Sequence, residues 1–470
     1  MFPTIPQNSD LLKHLEELLE AHRSIFKQGR IFERIKALVM GEIMAFGRHT
    51  LSQIILTLGM VNEDWTAWYR LFSRRRFPEA QANEVLLREC LKTMNADDLL
   101  VLGGDGTQTP RTSKKIEGTG WLRNFRTPPF KVGIHLAQRW FHGAFFLPEE
   151  AGYSRALPLR FIPAFTEKAW HKITTPMKEW EAALVFLNWV LGLLQLWGRS
   201  EQKLLFLADG SYETVAFWKD LPAGVTALLR SAKNRALFHL PPPHAHGLRK
   251  YGAKAASPQA FWHQRSGWQR TNIQIRGRQR ALRYRVEGPF LRQNAPDCPL
   301  LLLIIGGETY EKQGRKRQRE PLPYLVNAVT NEKGQWVLPL PVATLLFWAW
   351  QRWELEVCHR ELKSNFGLGH KQAWHPSAAL STVQFSAWLY ALCLLAGYRT
   401  WGLCGAPAVP TPWWTGARRW SFNTLWRSYR AAFWGAYTFQ GTWAAIQDNG
   451  LEKPRFWLSW RNALYAAIRL

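Results

Sequence analysis

Paired cysteines are missing. Cys90, Cys298, Cys358, Cys393 and Cys404 stand singly, with no CxxC pair, which argues against a zinc site or a disulfide framework and suits a reducing cytoplasm. The opening stretch "MFPTIPQNSDLLKHLEELLE" lacks the basic, apolar and small-residue order of a targeting signal. Long apolar runs are missing as well. "AALVFLNWVLGLLQLW" (182–197) and "FSAWLYALCLLAGY" (385–398) stop short of the roughly 20 residues that span a bilayer and read as buried helices. Acid is scarce: 35 Asp and Glu face 61 Lys and Arg, a net charge of +26. Such a surplus repels itself in a lone compact protein, and its usual counterpart is a polyanion. Nucleic acid is the first candidate and an anionic membrane surface the second. With 470 residues, 47% of them hydrophobic, the chain has material for a core and for two to four domains. The expectation is a cytoplasmic, nucleic-acid-facing protein with no membrane partner.

Residues 1–95 read as a helical domain, with Asn8, Ser9 and Asp10 as caps for a leucine-striped helix. Within it "TLSQIILTLGMVNEDWTAWYRLFSRRRF" (50–77) gives a short helix, a stop at Gly59, and a second helix ending in Arg74, Arg75 and Arg76. This pattern predicts a helix-turn-helix, with the arginines on DNA; an ordinary helical hairpin is the bland alternative. Residues 96–237 change texture to strands, a long apolar helix, a strand ("KLLFLA"), a helix and a strand, an α/β layout. Residues 238–330 form a basic insertion: from 249 to 292 there are 11 Lys or Arg and one acid, Glu287. There "HLPPPHAHG" reads as a connector, 271–288 as one half-exposed strand, and "KQGRKRQRE" (312–320) as a loop. Almost purely basic β structure favours phosphate contact. Residues 331–400 return to the α/β core with a helix from about 342 to 365. Residues 401–470 carry nine of the 26 tryptophans, most of them expected in an aromatic core.

Asp105 follows an apolar strand, Asp209 follows another, and Glu356 lies within the later helix. Singly, "GDG" and "DGS" are turn sequences. Together they supply hard oxygen ligands for two Mg²⁺ ions flanking a phosphodiester, with Mn²⁺ able to substitute. Arg352, Glu356, His359 and Lys363 fall at steps of 4, 3 and 4, one stripe of a 3.6-residue helix.

In these features the sequence resembles the DDE transposases of bacterial insertion sequences, the cut-and-paste group with a β-rich insertion and a Y-x2-R-x3-E-x6-K signature. "GDGTQTPRTSKKIEG" (104–118) and "LADGSY" (207–212) look like the two Asp motifs, and Arg352, Glu356 and Lys363 match the signature. Its Tyr position is Ala349, with Trp350 beside it, which leaves open the phosphate contact of that Tyr and the hairpin intermediate. The resemblance implies an α/β, ribonuclease H-like catalytic core interrupted by the insertion, with a helical N-terminal DNA-binding domain and a helical C-terminal region. It implies Asp105, Asp209 and Glu356 as catalytic metal ligands. Arg352, Lys363, His359, Lys114 and Lys115 would contact DNA. The partners implied are double-stranded DNA, as transposon ends and target, and a second copy of the chain. Another ribonuclease H-like nuclease, or a non-catalytic DNA-binding derivative, are the rival readings. Trp262 and Trp268 are candidates for stacking on an extruded base, against a packed role in the insertion.

Overall fold

The computed structural model describes residues 9–124, 127, 133–242, 250–312, 315–407 and 419–435. Most of the Pro- and His-rich connector and the end of the Trp-rich C-terminal region lie outside them, as does Asn8.

Five helices open the chain: α1 (Asp10–Ala21), α2 (Gly29–Met44), α3 (Leu51–Thr57), α4 (Thr66–Ser73) and α5 (Glu79–Leu91). The Ser9 hydroxyl caps α1 by accepting from the Leu12 N–H, and Leu11, Leu12, Leu15, Leu18 and Leu19 are buried. Residues 58–65 separate α3 from α4, eight residues where a helix-turn-helix uses three or four. The apolar face of α4 (Trp68, Leu71, Phe72) is buried. Arg74 and Arg75 are exposed and Arg76 half-buried, all past the end of α4. The pair is a helical hairpin whose connection is longer than that of a helix-turn-helix.

The core sheet follows: β1 (Leu100–Pro110), β2 (Thr119–Arg123), β3 (Ile134–Phe146), β4 (Ala156–Pro163), then helix α6 (Glu179–Leu196), β5 (Leu204–Ala208), α7 (Val215–Lys219) and β6 (Val225–Arg230). β5 is buried along its length, as a central parallel strand must be. β1 and β5 are parallel, as are β5 and β6, while β1–β3 and β3–β4 are antiparallel. This mixed order, β4-β3-β1-β5-β6, is consistent with a ribonuclease H-like fold of the DDE type. β2, not anticipated from sequence, is five residues on the outer edge of β3, with Trp121 exposed.

The insertion continues that sheet. It comprises β7 (Phe238–His239), α8 (Pro258–His263), β8 (Gln269–Ile275), β9 (Arg278–Arg292), β10 (Ala295–Ile305), β11 (Thr309–Lys312), β12 (Arg315–Gln318) and β13 (Leu322–Asn327), with short β14 (Val329–Thr330) and β15 (Trp336–Val337) beyond. β13 pairs antiparallel with β6, then β10 and β9 follow, giving one 11-stranded sheet. The single strand expected over 271–288 is a hairpin instead. Arg276 and Gly277, both at positive φ, make its two-residue turn, the backbone such turns require. The stretch read as a loop at 312–320 contributes β12, which pairs with β11.

Helices α9 (Val342–Gln351), α10 (Trp353–Ser364), α11 (Pro376–Trp401) and α12 (Phe422–Gly435) close the fold. The one helix expected over 342–365 divides at Arg352, which ends α9 and begins α10. α11 is long and apolar enough to cross a membrane, yet it is buried within the protein and packs against β4, α1, α4 and α5. Trp420 and Trp426 are buried, as expected of core tryptophans.

Candidate active site

Register places the two aspartates. β1 and β5 pair in parallel up to Gly104 opposite Ala208. Asp105 is the next residue of β1 and Asp209 the first residue past β5, where the β1–β5 pairing ends. Asp105 does not follow its strand, as read from "GDG", but lies in the middle of β1, which continues against β3 to Pro110. Neighbouring glycines make the site compact. A side chain on Gly103 would strike Leu355 of α10 and Phe146, and one on Gly104 would strike Phe141 and Phe206. Their absence lets α10 lie close across β1 and present Glu356 to the same cleft.

Local hydrogen bonds set the carboxylates. The Gly106 N–H donates to Asp105 Oδ1 at 2.8 Å. Asp209 Oδ1 accepts from the Ser211 N–H at 2.8 Å and from its hydroxyl at 2.6 Å. Arg352 donates to Glu356 Oε1 at 2.8 Å, one helical turn away. Burial, the adjacent Asp209 and then Glu356 push the Asp105 carboxyl up to about 7, with Arg352 opposing. Tyr212 is fully buried and its hydroxyl finds no partner among the described residues; burial and the charges of Glu179, Asp105 and Asp209 push it up. Arg139 grips Glu179 with two bonds, at 2.6 and 2.7 Å.

Two cavities meet at Asp105 and Asp209. One of 830 Å³ also holds Glu356, Arg352, Arg230, Lys233, Arg319 and Trp262. The other, of 840 Å³, holds His359, Lys363, Arg139, His135, His370 and Arg48. The helical stripe therefore splits: Arg352 and Glu356 face one cavity, His359 and Lys363 the other. Lys114 and Lys115 are exposed in the loop after β1, Lys114 lying 5.5 Å over the Trp121 ring. Arg74, Arg75 and Arg76 line neither cavity; Arg75 Nε donates to the Ser377 hydroxyl at 3.3 Å.

Ala349 is buried in α9. The Trp350 ring sits between the guanidinium groups of Arg280 and Arg319, 5.4 and 5.8 Å from its centroid, so it backs a cavity-lining arginine. Trp262 lines the first cavity, whereas Trp268 lies 4.1 Å under Arg283. Sequence reasoning missed Arg230, Lys233, Arg319 and Arg139, which only strand order brings together. It also missed His142, which is opposite Asp105 in the β1–β3 pairing. His359, expected on DNA, is 12% exposed and turns inward: its Nδ1 is 3.7 Å from Asp105 Oδ2 and its Nε2 is 2.8 Å from His142 Nδ1.

The insertion is tied to the Asp209 loop through Glu213. This acid is fully buried, with Arg235 at 2.5 Å and Arg292 of β9 against it, and the Trp218 indole N–H donates to it at 3.3 Å.

Among the described residues no three acid, His or Cys side chains already converge as a metal cage, Glu356 being turned onto Arg352. The donor set nonetheless fits a divalent cation. Three carboxylates share one cleft, and burial, with the charges of Asp209 and Glu356 added to it, holds Asp105 at about 7; a bound cation offsets both the lost hydration and the repulsion.

A mixed α/β sheet with two acids at the mouth of its central strands and a third on a crossing helix defines a carboxylate nuclease-type site. The model of the DDE superfamily endonuclease family matches residues 26–289, more than half of the chain, and the chain belongs to that family. Its members generally use divalent metal ions. No curated protein matches the chain. The family match ends before α10, so the assignment of Glu356 rests on the cleft and on the motif spacing.

Proposed function

We propose that this chain is a DNA transposase that cleaves the ends of its own insertion sequence and joins them to target DNA, by a cut-and-paste route in the bacterial cytoplasm. The observation that carries the reading is the pairing of Asp105 with Asp209 at the opening of β1 and β5, with Glu356 and Arg352 in the same cleft. Asp105, Asp209 and Glu356 would hold two Mg²⁺ ions, or Mn²⁺ in their place. When bound, the ions lower the pKa of an attacking water and offset charge on the leaving oxygen.

The protein's own groups do the rest. Gly106 and Ser211 fix the two aspartates, and Arg352 orients Glu356. Arg352, Arg230, Lys233 and Arg319 receive phosphates in one cavity, and Lys363 receives them in the other; arginine does so bidentately, lysine as a point charge. The freed 3′-hydroxyl attacks a second phosphodiester from the same site. Two copies of the chain hold the two ends together, each on double-stranded DNA.

The test is strand cleavage of labelled DNA spanning an element boundary in Mg²⁺, comparing wild type with Glu356→Ala. Cutting at the boundary by wild type alone is expected. Binding without cutting by either protein, in Mg²⁺ and in Mn²⁺, overturns the reading in favour of a DNA-binding derivative. Cutting without any joined product reduces it to a nuclease.

A further inference from the structure

His142 and His359 have no part in the mechanism above, yet they stand directly behind Asp105. His142 is fully buried and is the cross-strand neighbour of Asp105. Its ring stacks on Phe161 at 4.8 Å with an interplanar angle of 20°, which holds it upright. His359 comes from α10, three residues after Glu356, and lies between His142 and Asp105.

The hydrogen-bond inventory fixes the direction of the chain. A neutral imidazole carries one N–H, and the 2.8 Å contact between the rings uses one nitrogen of each. His142 Nε2 is buried and finds no partner among the described residues. Placing the His142 proton there would orphan a buried N–H, and the His359 lone pair at Nδ1 would then face a carboxylate oxygen. An orphaned N–H is the costlier choice. The other arrangement leaves only a lone pair unpartnered, on His142 Nε2: His142 Nδ1–H donates to His359 Nε2, and His359 Nδ1–H points at Asp105 Oδ2. The distance of 3.7 Å exceeds a hydrogen bond, and such contacts in catalytic sites commonly tighten only when the reactive complex assembles.

We propose that His142 and His359 form a hydrogen-bonded relay that sets the orientation of the Asp105 carboxylate for a divalent cation. Both are positioning residues. With Oδ1 held by the Gly106 N–H and Oδ2 facing His359 Nδ1, tightening of that second contact would fix the carboxylate in one orientation toward the cleft. Partners behind metal-binding carboxylates typically change metal affinity about 10- to 100-fold when removed. The inference rests on the proposal that Asp105 holds a divalent ion.

The test is Mn²⁺ binding to the full chain, followed by electron paramagnetic resonance, which needs no DNA and no turnover. His359→Asn keeps a donor where Nδ1 was, whereas His359→Gln moves it to the Nε2 position. Half-saturation is expected to rise about tenfold in His359→Gln and to stay within about threefold of wild type in His359→Asn. His142→Phe, which keeps the stack on Phe161, is expected to fall between them. Circular dichroism checks the fold of each variant, and the Asn and Gln pair differ at one buried site only. Wild-type affinity in His359→Gln, or equal losses in Asn and Gln, overturns the relay while leaving the metal site intact. Absence of Mn²⁺ binding by the wild type overturns the metal site and the relay with it.

Discussion

The two cavities that share Asp105 and Asp209 are walled by different parts of the chain. The first is walled by the insertion and its return strand: Trp262, Arg319 and the β13 segment stand opposite Arg352 and Glu356. The second takes Arg48 from the N-terminal helices and Leu368, His370 and Gln372 from the loop after α10, with His359 and Lys363 between them. Arginine and lysine frame the first; three histidines join the cations of the second. The sheet supplies the two aspartates with Arg139 and Arg230, while Arg48, Lys233, Arg319, Arg352 and Lys363 come from the helices and loops around it. Chemistry and grip are thus encoded separately, and substitutions should separate them.

The largest effect is expected where the cavities coincide. Asp209→Ala and Glu356→Ala remove ligands of the proposed metal site and should lower cleavage by at least about 10³-fold, with DNA retention little changed in a gel-shift assay. Next comes Arg352→Ala, which also strips Glu356 of its partner, at about 10²-fold in single-turnover rate. Lys363→Ala should cost about tenfold, a point charge in the other cavity. Equal losses for Arg352 and Lys363 would erase the distinction between the cavities.

Arg319→Ala should weaken DNA binding without altering the rate at saturation, and flatten the plot of log affinity against log salt by about one unit. An unchanged slope would remove Arg319 from the phosphate path. The smallest effect concerns stability. The Asp105 carboxyl lies at about 7 when folded, against an ordinary 3.8. The folded protein therefore binds the proton more tightly than the unfolded chain, and stability falls as pH rises from about 4 to 7 and stays low above. Asp105→Asn should melt higher than wild type by about 1–3 °C at pH 8 without metal, and level with it at pH 4. Calorimetry at the two pH values decides.

The elements legible in the sequence were those with one dominant period and one buried face. "LLFLA" and the 385–398 run could only be interior, and the three acids stood out because strand, turn and helix signals flank them. Arg74, Arg75 and Arg76 follow a helix that packs through Trp68, Leu71 and Phe72, and such a helix has the same sequence pattern as one that reads DNA. The hairpin at Arg276 and Gly277 was hidden because a two-residue turn hardly interrupts a period-2 pattern. Continuity of the insertion with the core sheet depends on β13 pairing with β6, about 95 residues apart, which local periodicity does not encode. His142 was invisible for the same reason: its meaning is the residue across the strand.

Glu213 carries a consequence for how such a chain can change over generations. It lies four residues after Asp209, and one of the arginines that neutralise it, Arg292, belongs to the insertion. A deletion that trimmed the insertion would leave an acid partly uncompensated in the interior, a defect of about 3–5 kcal/mol when a buried pair is broken, beside the loop that carries Asp209. Trimming the insertion would therefore be tolerated better together with a replacement of Glu213, since Arg235 alone would remain against it. In that sense the insertion supports the active centre and is more than an attachment to it.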